Sequence, residues 1–193
     1  MGRLWADFAI AEGIIYRHSP LRPNKLKHMT ISTGTFPALD AKDRKILELV
    51  QRDGRMPQSE VAKQVQLSTA AVNERLRKLE AAGFIRHTVA VVDPRAVGAA
   101  VTAFVEIFIE HPRFEPAFLA IVRELDEVQE CHHLTGDFSL RLKVRVRDME
   151  ALQQLLIQRV SGSQGVRQTR TVIVLSTSKE ESFIPTGANG ARP

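Results

Sequence analysis

Between residues 39 and 84, apolar positions recur at helical spacing in three consecutive blocks. "LDAKDRKILELVQRDG" gathers Ile46, Leu47 and Val50 on one side, with Asp40 as N-cap, Asp43 three residues on and Gly54 as a stop. "PQSEVAKQV" groups Val61, Ala62 and Val65 behind Pro57, which a first helical turn tolerates because its amide needs no intrahelical partner. The third block, "LSTAAVNERLRKLEAAGF", begins at a Ser68 cap, ends at Gly83 and aligns Val72, Leu76 and Leu79 in one stripe. Three helices joined by very short links predict a compact trihelical unit, with a helix-turn-helix formed by the second and third.

Beyond Gly83 the period changes to two. "FIRHTVAVVDP" is beta-branched and roughly alternating until Asp93-Pro94, which predicts a strand or wing and then a domain boundary. From residue 99 the order reads strand, helix, strand, strand, helix, strand. "AAVTAFVEIFIE" sets Val101, Ala103, Val105, Ile107 and Ile109 against Thr102, Phe104, Glu106 and Glu110. A helix follows over about 114–124, then a hairpin around Gly136-Asp137, a helix capped by Asp148 and the strand "VRQTRTVIVLST". This order is that of the ferredoxin-like split unit. The predicted class is α+β: a winged helix-turn-helix with its linker strand over residues 39–95, then a ferredoxin-like domain over 96–178. Residues 1–38 have no sustained periodicity and read as a flexible extension; residues 179–193 read as a disordered tail.

The third helix carries the most informative polar pattern. Opposite its apolar stripe lie Ala70, Asn73, Glu74 and Arg77, with Ser68 and Thr69 at the start and Arg75 and Lys78 on the flanks. Asn matches an adenine edge and Arg a guanine edge, small Ala70 allows close approach, and Ser68 and Thr69 suit phosphate or base. Arg75 and Lys78 suit phosphates. A solvated surface helix also has a polar face; the tight helix-turn-helix spacing and the local charge favour double-stranded DNA. Lys and Arg outnumber Asp and Glu by 5 to 2 over residues 1–38 and 11 to 8 over 39–95, against 9 to 10 over 96–178. The chain's net charge of +5 alone would not decide the matter.

Other chemistry finds little support in the pattern. Cys131 is the only cysteine, so no intramolecular disulfide or cysteine-based zinc cluster is expected, and a reducing, cytoplasmic location fits. No apolar run approaches the ~20 residues of a membrane span, and Asp7 and Glu12 interrupt the apolar N-terminal stretch, so neither membrane nor export is expected. His132 and His133 are adjacent on a strand and point to opposite faces, so no metal site is expected. No nucleophile elbow, phosphate-cradling loop or zinc-protease motif appears; no enzyme and no catalytic cofactor are expected. Arg141, Lys143, Arg145 and Arg147 share one sheet face, and pairing with Glu106, Glu110 and Glu130 is favoured there over a second nucleic-acid surface.

Together "LDAKDRKILELVQRDGR", "EVAKQVQLSTAAVNERLRKLEAAGFI", "HLTGDFSLRLKVRV" and "GVRQTRTVIVLSTSKE" resemble the Lrp/AsnC, or feast/famine, regulators from about Leu39 to Lys179. The resemblance implies a transcriptional regulator with a C-terminal ligand-binding (RAM-type) domain that forms homodimers, often assembled into octamers, and binds amino acids between subunits. It also implies an effector site at the turn of Thr135, Gly136, Asp137 and Ser139. Ser139 stands where members of the family often carry an acid, and Pro57 where many cap the second helix with Ser. Siroheme decarboxylases resemble the same two-domain architecture, so a tetrapyrrole enzyme using His132, His133 and Arg141 is the alternative.

Overall fold

The computed structural model describes residues 36–187. The chain divides into two units, Met1–Ala38 and Leu39–Pro193, and all the elements described lie in the second. The extension expected over residues 1–38 lies, up to residue 35, outside the described residues.

Helix α1 spans Ala41–Arg52 and opens with a complete capping box: the Asp43 amide donates to Asp40 Oδ1 at 2.7 Å, and the Asp40 amide donates to Asp43 Oδ2 at 3.3 Å. Helix α2 spans Gln58–Val65, and its Pro57 N-cap offers no side-chain bond. The turn to the next helix is made by Gln66, which adopts φ 54°, so that the Leu67 amide can reach back to the Ala62 carbonyl at 3.0 Å. Helix α3 spans Thr69–Ala81; Ser68 Oγ accepts from the Ala71 amide, and Gly83, at φ 80°, lets the Phe84 amide close on the Leu79 carbonyl. Ile46, Leu47 and Leu49 of α1, Val61, Ala62 and Val65 of α2, and Val72 and Leu79 of α3 form one buried core.

The strand expected after Gly83 is not one. Residues 86–93 form no regular element and bond to no strand among the described residues, and Val89, Val91 and Val92 are exposed. Beta-branched alternation suits a strand, whereas a ladder also needs a partner edge, and the described residues supply none there.

The second core belongs to a four-stranded antiparallel sheet, in spatial order β2-β3-β1-β4, of strands β1 (Val101–Ile109), β2 (Val128–His133), β3 (Leu140–Val146) and β4 (Val166–Ile173). Helix α4 (Glu115–Arg123) joins β1 to β2, and α5 (Met149–Leu155), continued by a π-helical turn, joins β3 to β4. This is the ferredoxin-like arrangement. Ala103, Val105, Ile107 and Ile109 of β1 and Leu140, Leu142, Val144 and Val146 of β3 are buried with Phe118, Val122, Leu152 and Leu155 of the helices. The other sheet face has no helix over it among the described residues, and carries Phe104, Glu106, Arg141, Lys143, Arg145 and Arg170 in register.

Of the tail expected to be disordered over residues 179–193, residues 188–193 lie outside the described residues, whereas Phe183, Ile184 and Thr186 lie against α1. Gln51 and Ile184 bond reciprocally, with the Ile184 amide donating to Gln51 Oε1 at 2.8 Å and Gln51 Nε2 to the Ile184 carbonyl at 3.1 Å. A polar composition lowers the apolar area available for burial, but specific backbone hydrogen bonds can still dock a short segment.

Candidate DNA-reading helix and effector turn

The stripe of α3 that enters the core fixes which side faces out. Ser68, Thr69, Ala70, Asn73, Glu74, Arg77 and Lys78 are all exposed. Glu74 accepts two bonds at 2.9 Å from Arg77 one turn later, and Lys78 Nζ lies 3.6 Å from the same carboxylate. The Arg77 bond, more than any other cause, holds the Glu74 carboxyl below its ordinary range. The Arg77 guanidinium is thereby pre-oriented on the helix surface while staying in contact with solvent.

Arg75 departs from expectation. Its Nη1 reaches Asp40 Oδ2 at 2.7 Å and Asp43 Oδ1 at 2.6 Å, so the side chain expected at phosphate clasps α3 to the cap of α1. The physical reason is position: Arg75 sits beside the buried stripe rather than opposite it, within reach of two acids in the first turn of α1. We expect Arg75→Ala to lower stability by about 1–2 kcal/mol, a modest figure because the pair is partly exposed. Urea denaturation would read the loss; an unchanged midpoint with a shallower salt dependence of DNA binding would instead make Arg75 a phosphate contact. Asp40 is held below its ordinary 3.8, first by the Asp43 amide and then by Arg75. A depressed folded value means stabilisation present above the unfolded value and lost as pH falls through the folded one. The variant should therefore lose less on acidification than the parent.

The turn between β2 and β3 presents Thr135, Gly136 and Asp137 to solvent, and Gly136 has φ 122°, a conformation side-chain-bearing residues avoid. Nothing lies within 4 Å of where a Gly136 Cβ would be, so the constraint there is backbone shape rather than crowding. Ser139 is placed differently from its three companions. Its Oγ accepts from the Ile109 amide at 3.2 Å and its amide donates to the Ile107 carbonyl at 2.9 Å, just where the β1–β4 register shifts. Its acceptor is used in pinning the turn to β1, which leaves the open turn as the exposed surface.

His132 and His133 bond to different carboxylates, Glu130 at 3.2 Å and Glu115 at 2.6 Å. Burial, then the nearby Glu115 charge, pushes the Cys131 thiol up to about 11, which makes it a poor thiolate donor. Among the described residues no three His, Cys, Asp or Glu side chains are grouped to hold a metal, and no helix is long and apolar enough to cross a membrane.

The sheet cations pair with acids, as the favoured reading had it, though with a different set of partners. Arg141 lies 3.8 Å from Glu106 and Lys143 lies 3.1 Å from Glu130. Glu110 is 4.0 Å from Arg167 instead, Arg147 takes Asp148, and Glu180 of the tail bonds both Lys143 and Arg145. The Glu180 partnership escaped the sequence reading; the only hint was an acidic pair and an apolar Phe183-Ile184 in an otherwise polar tail.

Residues 39–86 match the winged helix-turn-helix DNA-binding family and residues 102–183 the Lrp/AsnC ligand binding domain. The leucine-responsive regulatory protein of Escherichia coli K12 is 40% identical over 146 residues, covering 75% of this chain and 89% of that protein. The chain belongs to the Lrp/AsnC family. The leucine-responsive regulatory protein of Salmonella typhimurium matches to the same extent. Among solved Lrp/AsnC structures, a Neisseria meningitidis transcriptional regulator in complex with L-Met superposes with TM-score 0.74 at 31% identity, covering 77% of this chain and 97% of that one. Escherichia coli AsnC gives TM-score 0.71 at 32% identity, over 76% and 99% of the two chains. A feast or famine regulatory protein from M. tuberculosis complexed with L-methionine gives 0.71 at 36%, again over 76% and 99%. The protein is thus a DNA-binding transcriptional regulator of the Lrp type with the family's ligand-binding domain. These relatives are regulators rather than enzymes, and the tetrapyrrole alternative is set aside.

Proposed function

We propose that the protein is a cytoplasmic, sequence-specific regulator whose DNA binding responds to an amino acid held at the turn of residues 135–137, between subunits. The carrying observation is the exposed α3 surface of Ser68, Thr69, Ala70, Asn73, Glu74, Arg77 and Lys78, on a helix locked to its neighbours by a buried stripe. Asn73 and Arg77 would read base edges in a major groove, with Ser68, Thr69 and Lys78 on phosphates. Support for an amino-acid effector comes from the Neisseria and M. tuberculosis neighbours, both solved with methionine. In the proposed site, backbone amides of the open turn would receive the carboxylate, and Asp137 would attract the ammonium group. Ser139 supports the turn from behind.

A homodimer, assembling further, follows from the same reading. Exposed Val89, Val91 and Val92 on an unpaired segment, together with a sheet face that carries no helix among the described residues, favour a second copy as the covering partner. Two recognition helices per dimer imply a roughly palindromic operator, with half-sites about one helical turn or a multiple apart.

The decisive experiment is a mobility-shift assay on the upstream region of the protein's own gene, with excess random competitor and a panel of amino acids. A competitor-resistant shift altered by one amino acid establishes the reading; loss of every shift to competitor counts against sequence-specific binding to that region. Within that assay, Arg77→Ala should weaken specific binding by about 1–3 kcal/mol and leave random DNA nearly unchanged. Equal loss on both would make Arg77 a phosphate contact. Gly136→Val should abolish the effector response while retaining the shift, because the turn's backbone conformation disfavours a β-branched residue. A response unchanged in that variant would remove the turn from the site.

A further inference from the structure

The tail that docks on α1 has a second anchor. Its Glu180 carboxylate bonds Lys143 and Arg145 of β3, so one short segment holds the sheet at one end and the helix-turn-helix at the other. At the helix end, Arg44 Nη1 donates to the Thr186 carbonyl, Thr186 Oγ1 donates to the Arg44 carbonyl at 3.0 Å, and the Arg52 guanidinium lies 4.7 Å from the centre of the Phe183 ring. With the reciprocal Gln51–Ile184 pair, these are the hydrogen bonds that connect α1 to residues beyond 98 among the described residues. The covalent connection over residues 86–93, by contrast, is exposed and bonded to no strand among the described residues.

We propose that residues 180–186 are a strap that fixes the orientation of the DNA-reading unit on the ligand-binding domain, and so sets the half-site spacing the protein accepts; this rests on the regulator reading above. The argument is mechanical. A linker that pairs with no strand of its own chain leaves the pitch of each trihelical unit to be set elsewhere, even where a second copy covers Val89, Val91 and Val92, and heads of variable pitch can follow half-sites at several spacings. Two bonds to Gln51, two to Arg44, a ring contact to Arg52 and a two-cation grip on Glu180 remove that freedom at both ends. The grip falls on β3, the strand that leaves the effector turn at Leu140, so displacement of the turn is delivered to the strap's anchor.

Two measurements test it. The first is amide hydrogen exchange in the full chain: the Ile184 amide, which donates to Gln51 Oε1, should be protected in the parent and lose that protection in Gln51→Ala. An Ile184 amide that exchanges in the parent as fast as in Gln51→Ala overturns the strap. The second compares operators carrying one half-site, two half-sites, and two half-sites with an extra half-turn inserted. The parent should lose about tenfold or more on the insertion, and a chain ending at Lys179 less than about threefold, with equal affinity for one half-site. Gln51→Ala and Glu180→Gln should fall between, while Glu181→Gln, whose carboxylate pairs only with Lys179, should match the parent. A truncated chain that keeps the full spacing preference overturns the proposal. If the parent itself shows no half-site preference, the regulator reading and the spacing role fall together, and the Ile184 amide exchange alone then says whether the strap docks.

Discussion

Gly165→Ala is expected to be the most damaging small change in the ligand-binding domain, lowering stability by about 3–4 kcal/mol. Gly165 has φ 86°, where an L side chain is strained by about 1–2 kcal/mol. A Cβ built there would also stand 2.5 Å from Phe114 Cδ2 and closer still to that ring's Cβ and Cγ. Phe114 cannot retreat freely, because it packs against the main core and its amide is bonded to His111. Overpacking of this kind adds about 1–3 kcal/mol. The Gly165 carbonyl accepts from the Glu110 amide at 3.0 Å, so a backbone shift that relieved the clash would disturb the end of β1 as well. For a chain of this size the midpoint of thermal unfolding should fall by about 6–16 °C. A fall below about 2 °C would mean that the loop before β4 yields cheaply. Adding Phe114→Ala removes Cγ and Cδ2 but keeps the nearest atom, Cβ, so it should recover only part of the steric cost and leave the backbone strain, a non-additivity that a double-mutant cycle reads directly.

How much of this was legible beforehand follows from what each feature depends on. The caps at Asp40 and Ser68, the stop at Gly83 and the stripe Val72, Leu76, Leu79 are local, and local rules located them. The sheet order followed from the succession of periods, since few topologies fit strand, helix, strand, strand, helix, strand. The features that the sequence did not show share one cause, dependence on a partner far along the chain. Arg75 looked like a phosphate ligand because its flank position was visible but the acids at Asp40 and Asp43, more than thirty residues away, had no reason to be placed beside it. The residues after Gly83 have strand composition, and only the absence of a neighbouring edge keeps them out of a sheet. Ser139 was assigned to the effector through resemblance, while its bond to Ile109 depends on the register between distant strands. The tail's composition argued for disorder, yet several of its anchors are backbone groups, which composition does not describe, and the partners of Glu180 and Phe183 lie far along the chain.

Replacing Glu106 should produce the second large effect, and the size depends on what replaces it. Glu106 sits in the central strand on the helix-free face, its side chain only 9% exposed, opposite Arg141 on one side and Arg170 on the other. Arg170 Nε donates to it at 2.6 Å; Arg141, whose Nε is buried and makes no hydrogen bond, stands 3.8 Å away over the Phe104 ring. Glu106→Ala would leave two guanidinium groups converging on an emptied site, which for a fully buried cluster costs about 3–5 kcal/mol. Arg170 is largely solvent-exposed and can be rehydrated, so the expected loss is nearer about 2–3 kcal/mol. Glu106→Gln keeps the shape and one acceptor and should lose less. If the cause is unpaired charge rather than lost packing, adding Arg141→Met should restore most of the loss, because an apolar side chain then fills the space without a counterion. If the restoration fails, Glu106 matters through shape alone. The same face is the one proposed to meet a second copy, so the deficit should deepen as protein concentration rises and assembly removes the remaining water from Arg141 and Arg170. A deficit independent of concentration would count against that face as the contact between copies.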